Sequence, residues 1–199
     1  DGAMAMLIGT YEHAGEVSRR LLEALPPVAV VRADEGDTPL VDLLAAEIDR
    51  DRPGQDAVLD RLLDLLLVST LRTWFARADG DAPAWYRAHG DPVAGQALRL
   101  LQDRPADPWT VASLAREVGV SRATLARRFA DEVGETPMAF LTEWRLALAA
   151  DLLREPDATV AGVASQVGYS SGFALSAAFS RVRGVSPSEH RARAEAAAG

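Results

Sequence analysis

Apolar residues recur at helical spacing through most of this chain, and one pattern of them occurs twice. The stretch TVASLAREVGVSRATLARRFADEVGETP, Thr110 to Pro137, is followed by a degraded second copy from Thr159 to Pro187. At an offset of 49, Thr110, Val111, Leu114, Ala115, Val118 and Gly119 fall on Thr159, Val160, Val163, Ala164, Val167 and Gly168. At an offset of 50, Ser121, Leu125, Phe129, Gly134 and Pro137 fall on Ser171, Leu175, Phe179, Gly184 and Pro187, so one residue is inserted in the second turn. Each copy predicts two helices across a tight turn. Threonine caps the first helix, apolar residues at i, i+3, i+4 and i+7 give it one buried face, and a glycine ends it where φ must be positive. Serine caps the second helix, whose Leu and Phe, four apart, pack back onto the first. This is the sequence form of a helix-turn-helix, whose second helix enters a DNA groove. A lone copy reads equally well as an ordinary helical hairpin; two in register within one chain favour DNA binding.

The upstream pattern is different. MAMLIGTY and PPVAVV predict short strands, and Glu16 to Leu25 a short helix with Val17, Leu21, Leu22 and Leu25 inward. Two isolated strands make no stable sheet, so either a larger β domain precedes this sequence or a partner completes it. The opening Asp1 to Met4 also fits a cloning scar. Thr38 caps and Pro39 starts a helix to about Asp51, with Leu40, Leu44 and Ile48 on one face. The next helix, Gln55 to about Arg77, carries so many apolar residues that it must be buried on more than one side. Two readings of it stay open: a homodimer interface through Val58, Leu59, Leu62, Leu63, Leu66, Leu67 and Leu71, or a core helix within the chain. ADGDAP predicts a hinge. Asp91 and Pro92 then start a helix with Val93, Ala97, Leu100 and Leu101 inward. The two motifs are joined by a helix from Met138 to about Arg154, capped by Thr136 with Pro137 at its first position; Phe140, Leu141, Trp144, Leu148, Leu152 and Leu153 supply its buried surface. A connector of about 18 residues is about 27 Å long, enough to hold two reading helices about one duplex turn apart.

Composition narrows the chemistry. At 199 residues and 48% hydrophobic, the chain is long and apolar enough for one or two cores. It has no cysteine, which excludes disulfides, thiolate metal sites and cysteine nucleophiles. No apolar run approaches the roughly 18 residues of a membrane span and no leader opens the chain, so a cytoplasmic, non-membrane protein is expected. His13, His89 and His190 stand alone, without metal-ligand spacing, and there is no glycine-rich phosphate loop. Neither an enzyme nor a metal or cofactor site is expected. The net charge of −8 is unusual for a nucleic-acid binder. It lies wholly in residues 1–108, with 11 arginines against 19 acidic residues, while residues 109–199 balance 10 against 10. DNA binding therefore has to rest on where individual arginines sit.

On the first candidate reading helix, capped by Ser121, the face away from Leu125 and Phe129 presents Arg122, Ala123, Thr124, Ala126, Arg127 and Arg128. Arginine forks onto guanine or pairs with phosphate, and small methyls touch thymine. Arg127 is assigned to a base and Arg128 to the backbone; the competing role for these arginines is salt bridging to Glu117, Asp131 or Glu132. The second helix presents Ser171, Gly172, Phe173, Ala174, Ser176, Ala177 and Ser180, with no side chain able to make a bidentate base contact. Arg181 and Arg183 come at its end, where phosphate is the expected target. The first motif is thus expected to supply most direct readout and the second mainly shape and backbone contact.

WTVASLAREVGVSRATLARRF, GETPMAFLTEWRLALAADLL and VASQVGYSSGFALSAAFSRVRGVSPSEHR together resemble the DNA-binding domain of the AraC/XylS family of bacterial transcription regulators. The resemblance implies a mainly α fold with two helix-turn-helix units and a connecting helix. It implies base contacts at Ala123, Ala126 and Arg127, and at Gly172, Phe173, Ala174, Ser176 and Ala177. ALPPVAVV followed by acidic, Leu-rich helices resembles the subgroup with a cupin-like sensor. The implied layout is a cupin remnant at 1–33, dimerising helices at 34–78, a hinge at 79–90, the DNA-binding domain at 91–193 and a tail at 194–199. The implied partners are double-stranded promoter DNA, RNA polymerase, a second copy and a small-molecule effector. A rival reading from the acidity and the poor second reading helix is a protein-interaction module with little DNA binding of its own.

Overall fold

A computed structural model describes residues 10, 15–16, 19, 22–23, 25–32, 38–50, 52–77 and 82–198. They divide into two compact units, one drawn from Asp1–His13 and Glu23–Ala82, the other from Ala14–Leu22 and Pro83–Gly199.

The first unit holds α1 (Thr38–Ile48) and α2 (Gln55–Phe75). Leu44 is its fully buried aliphatic residue. The Gln55 side-chain amide donates to the carbonyls of Glu47 and Ile48 at 2.7 and 3.1 Å, satisfying acceptors that the end of α1 leaves free. Within one copy the wide apolar stripe of α2 is only partly covered. Only Phe75 is buried; Leu59, Leu62, Leu63, Leu66 and Leu71 are half-covered, and Val58, Leu65, Leu67 and Val68 are exposed, as are Val41, Leu43 and Ile48 of α1. One neighbouring helix covers one stripe of a helix and no more. No strand occurs among the described residues. The expected strand MAMLIGTY lies outside them apart from Thr10, and the expected strand 26–31 is irregular, with Val28 74% exposed. A strand without a ladder partner leaves its backbone groups unpaired, which accounts for that correction. Glu16, Arg19 and Leu22 are helical, but Leu22 is exposed rather than inward, and Val17 and Leu21 lie outside the described residues.

The second unit comprises α3 (Ala84–Arg87), a 3-10 turn (Ala88–Gly90), α4 (Ala94–Asp103), α5 (Val111–Val118), α6 (Arg122–Val133), α7 (Pro137–Leu152), α8 (Val160–Gln166), α9 (Gly172–Arg183) and α10 (Pro187–Ala198). Residues 84–90, expected as hinge, are therefore structured. Ala88 is completely buried and Trp85 packs on the same core, so apolar burial overrides the flanking polar residues.

The double motif folds as its punctuation predicts. Thr110 accepts from the Ser113 N–H at 3.0 Å and donates its own N–H to Ser113 Oγ at 2.9 Å, a reciprocal cap on α5. Gly119 ends α5 at φ 76°, a left-handed conformation that other residues adopt at a cost. Ser121 and Ser171 accept from the N–H groups of Thr124 and Ala174, each at 3.1 Å, capping α6 and α9. Thr136 caps α7, and Pro137 occupies its first position.

Each motif has its own core. The first joins Ala97, Leu98 and Leu101 of α4 to Leu114, Leu125, Phe129, Phe140 and Leu141, with Phe129 and Phe140 edge to face at 5.9 Å. The second joins Leu146, Ala149, Ala150 and Leu153 to Val163, Ala164, Val167, Leu175 and Phe179. Among the described helices only α7 contributes buried residues to both. That double duty buries Leu146, Ala147, Ala149 and Ala150, while Phe140, Leu141 and Leu153 of the expected stripe are buried and Trp144, Leu148 and Leu152 half-buried. Truncating Phe129 to alanine in such a core costs about 3–5 kcal/mol.

Candidate nucleic-acid interface

The caps and cores decide which side chains of α6 and α9 are offered outward. Leu125 and Phe129 turn one face of α6 into the first core, leaving Ser121, Arg122, Ala123, Ala126 and Arg127 exposed. Among the described residues, no carboxylate lies within ion-pair distance of Arg122. Arg127 lies 3.6 Å from Asp131 one turn on, with the arginine side chain 70% exposed; such a pair holds an arginine weakly and releases it readily to another anion. Thr124 is half-buried, and its hydroxyl is 2.9 Å from that of Ser121.

Arg128 is placed differently from its assignment to the DNA backbone. Its guanidinium pairs with Asp91, whose side chain is only 8% exposed. The same carboxylate accepts from the N–H groups of Val93 and Ala94 at 2.8 and 2.7 Å, capping α4. Burial alone would raise the Asp91 carboxyl, but the Ala94 and Val93 N–H groups and the Arg128 charge outweigh it, holding Asp91 below its ordinary value. Arg128 thereby ties the reading helix to the start of α4 through its Nη2.

On α9, Leu175 and Phe179 are buried, while Phe173 is 85% exposed and Ala177 and Arg181 also face out. Gly172 and Ala174 are half-covered; a Cβ on Gly172 would stand 3.4 Å from the Ala161 nitrogen, so α8 and α9 approach closely there. The Ser176 hydroxyl donates to the Gly172 carbonyl at 2.8 Å, which occupies its donor inside the helix. Arg183, expected on phosphate, is largely covered and pairs with Glu16 at 2.6 Å. The Glu16 N–H in turn donates to Asp151 Oδ1 at 2.6 Å.

Of the five arginines on α6 and α9, Arg122 and Arg181 have no carboxylate within ion-pair distance among the described residues, and Arg127 has only the exposed Asp131. Asp91 and Glu16, which occupy the other two arginines, have no local signature in the sequence. Arg145 is a third group not singled out there, although it stands four residues after Leu141 and three before Leu148, on the stripe that α7 buries. Val58, Leu59, Leu62, Leu63, Leu66, Leu67 and Leu71, expected at a dimer interface, lie on α2 in the other unit. No described helix is long and apolar enough to cross a membrane, and no group of three or more metal-ligating side chains occurs among the described residues.

A family profile described as a cupin matches residues 1–76, and one described as a helix-turn-helix domain matches residues 114–193. A Streptomyces lividans protein described as an AraC-like transcription regulator is 40% identical over 187 residues, covering 92% of this chain and 62% of the relative. The transcriptional regulator AlkR of Acinetobacter baylyi is 38% identical over 148 residues, covering 74% of this chain and 48% of AlkR. The chain thus spans 62% of the length of the Streptomyces relative. Among solved structures, the DNA-binding domain of AdpA in complex with a target DNA is 31% identical, with a TM-score of 0.50, covering 52% of this chain and 94% of that one. The C-terminal domain of AraT from Geobacillus stearothermophilus is 30% identical, with a TM-score of 0.50, covering 52% of this chain and 86% of that one.

Proposed function

The chain belongs to the AraC family of transcription regulators, with a cupin-type segment ahead of its helix-turn-helix domain, and from that membership we propose that it reads double-stranded promoter DNA with α6 and α9 in successive major grooves. The observation that carries the reading is the pairing of two capped, outward-facing helices on one connector buried through both cores. Arg127 forks onto a base, Ala123 and Ala126 lie against base edges, and Arg122 takes the phosphate role while Arg128 holds Asp91. On α9, Phe173 packs against a thymine methyl and Arg181 meets phosphate, with Gly172, Ala174, Ser176 and Ala177 lining the approach. Direct readout comes mostly from α6, and α9 contributes shape and backbone contact.

The apolar face of α2, with Val58 and Leu67 exposed and Leu59, Leu62, Leu63, Leu66 and Leu71 half-covered, pairs two copies, since apolar surface left open in this way marks an interface. A small-molecule effector acting through the cupin-matching segment, contact with RNA polymerase and a cytoplasmic location belong to the same reading of the whole protein.

Selection of bound duplexes from a random-sequence pool at near-physiological salt, comparing the chain with Arg127→Ala, tests it. An enriched motif that the variant loses supports the assignment. The absence of enrichment with the unaltered chain refutes it in favour of an acidic interaction module, whose duplex binding would ignore both salt and sequence.

A further inference from the structure

Arg145 stands in the middle of α7, between the two cores. Its Nε donates to the Pro105 carbonyl at 2.7 Å and its Nη2 to the Asp107 carbonyl at 2.8 Å. Those carbonyls belong to the loop that leads from α4 into the first helix-turn-helix. The guanidinium also lies 6.0 Å from the centre of the Tyr169 ring, in the turn of the second. A Cβ on Gly168, beside it, would stand 2.8 Å from Arg145 Nη2 and 2.7 Å from both Cα and the carbonyl oxygen of Ala106. The turn of the second motif is therefore pressed against the loop of the first, with one guanidinium bound at the seam.

We infer that Arg145 is a positioning residue that sets the second reading helix relative to the first, so that the pair meets a duplex at a single half-site spacing. The inference rests on the DNA-reading function proposed above. Among the described helices only α7 is shared between the cores, so without the seam the angle between α6 and α9 depends on the bending of one helix. Arg145 closes that freedom by holding two carbonyls of the loop before the first motif while standing 6.0 Å from the centre of the Tyr169 ring in the turn of the second. The fork needs a planar, rigid donor; lysine is a single flexible point charge and does not replace it.

The chain has no cysteine, so Ala130→Cys with Ser180→Cys, both at exposed positions on α6 and α9, accepts a pair of spin labels without further changes. In the full chain without DNA, the label distance should form one narrow distribution, and adding Arg145→Ala should broaden it. On the selected duplex, joining two half-sites is expected to gain about 100-fold over one. Arg145→Ala should lose at least about tenfold of that gain, together with the discrimination against spacers one base pair longer or shorter. Its affinity for a duplex carrying only the first half-site should stay unchanged, and Arg145→Lys should behave like Arg145→Ala. A narrow distribution in Arg145→Ala, retained spacing discrimination, or an equal loss on one and two half-sites would overturn the inference. Failure of the unaltered chain to select any duplex would instead refute the DNA reading beneath it, while the label distances still report on the seam.

Discussion

Arg128→Ala separates a strut from a DNA contact. Removing one partner of a fully buried ion pair costs about 3–5 kcal/mol, whereas an exposed pair is worth about 0–1 kcal/mol. The Asp91 side chain is 8% exposed and that of Arg128 37%. The stranded carboxylate also keeps the N–H groups of Val93 and Ala94. An intermediate cost of about 2 kcal/mol follows, a Tm drop of about 8 °C for a domain of about 100 residues. Thermal unfolding followed by circular dichroism, in a double-mutant cycle with Asp91→Ala, measures it. Asp91→Ala should cost more than the pair alone, because the cap on α4 goes as well, worth about 1 kcal/mol. The pH dependence has a definite sign. The folded Asp91 lies below its ordinary value of 3.8, so the stabilisation is complete above that value and is lost as pH falls through the lower, folded one. The gap between the unaltered chain and Arg128→Ala should therefore persist at neutral pH and close only in that acidic window. If Arg128 bound phosphate instead, its loss would leave Tm unchanged and reduce the slope of log affinity against log salt by about 0.9. That pair of results would refute the strut.

Four further outcomes follow from the same structure. Gly168→Ala should lower the denaturant midpoint by the equivalent of more than about 1 kcal/mol, since φ is +83° and the added methyl meets the Ala106 backbone; a loss below about 0.5 kcal/mol would contradict the close packing. Phe173→Ala should leave stability within about 0.5 kcal/mol while weakening binding to the selected duplex severalfold, and unchanged affinity would remove Phe173 from the interface. Glu16→Ala should free Arg183 and steepen the salt dependence by about 0.9; an unchanged slope would show that Arg183 does not reach phosphate. Val58→Glu with Leu67→Glu should convert a dimeric mass in light scattering to a monomeric one, and a monomeric mass in the unaltered chain at micromolar concentration would dismiss α2 as the interface.

The repeat at 110–137 and 159–187, read alone, determined both helix-turn-helix units, because a helix-turn-helix is written in local terms. Caps at Thr110, Ser121, Thr136, Thr159 and Ser171 are bonds within three residues, and buried faces follow from a period of 3.6. The same reasoning located the outward faces of α6 and α9. It misplaced the strand at 26–31 because a strand exists only with a partner, and it read residues 84–90 as hinge because the core that buries Ala88 is assembled from distant segments. It did not foresee the partners of two of the arginines. Arg128 finds Asp91 37 positions away and Arg183 finds Glu16 at a separation of 167, while Arg145 reaches carbonyls 40 and 38 residues earlier. The sequence determined which residues carry charge on each reading helix. Only the tertiary structure decided which of those charges remain free for a ligand, because an ionic or hydrogen-bonding contact depends on what lies within a few ångströms rather than on what lies nearby in the chain.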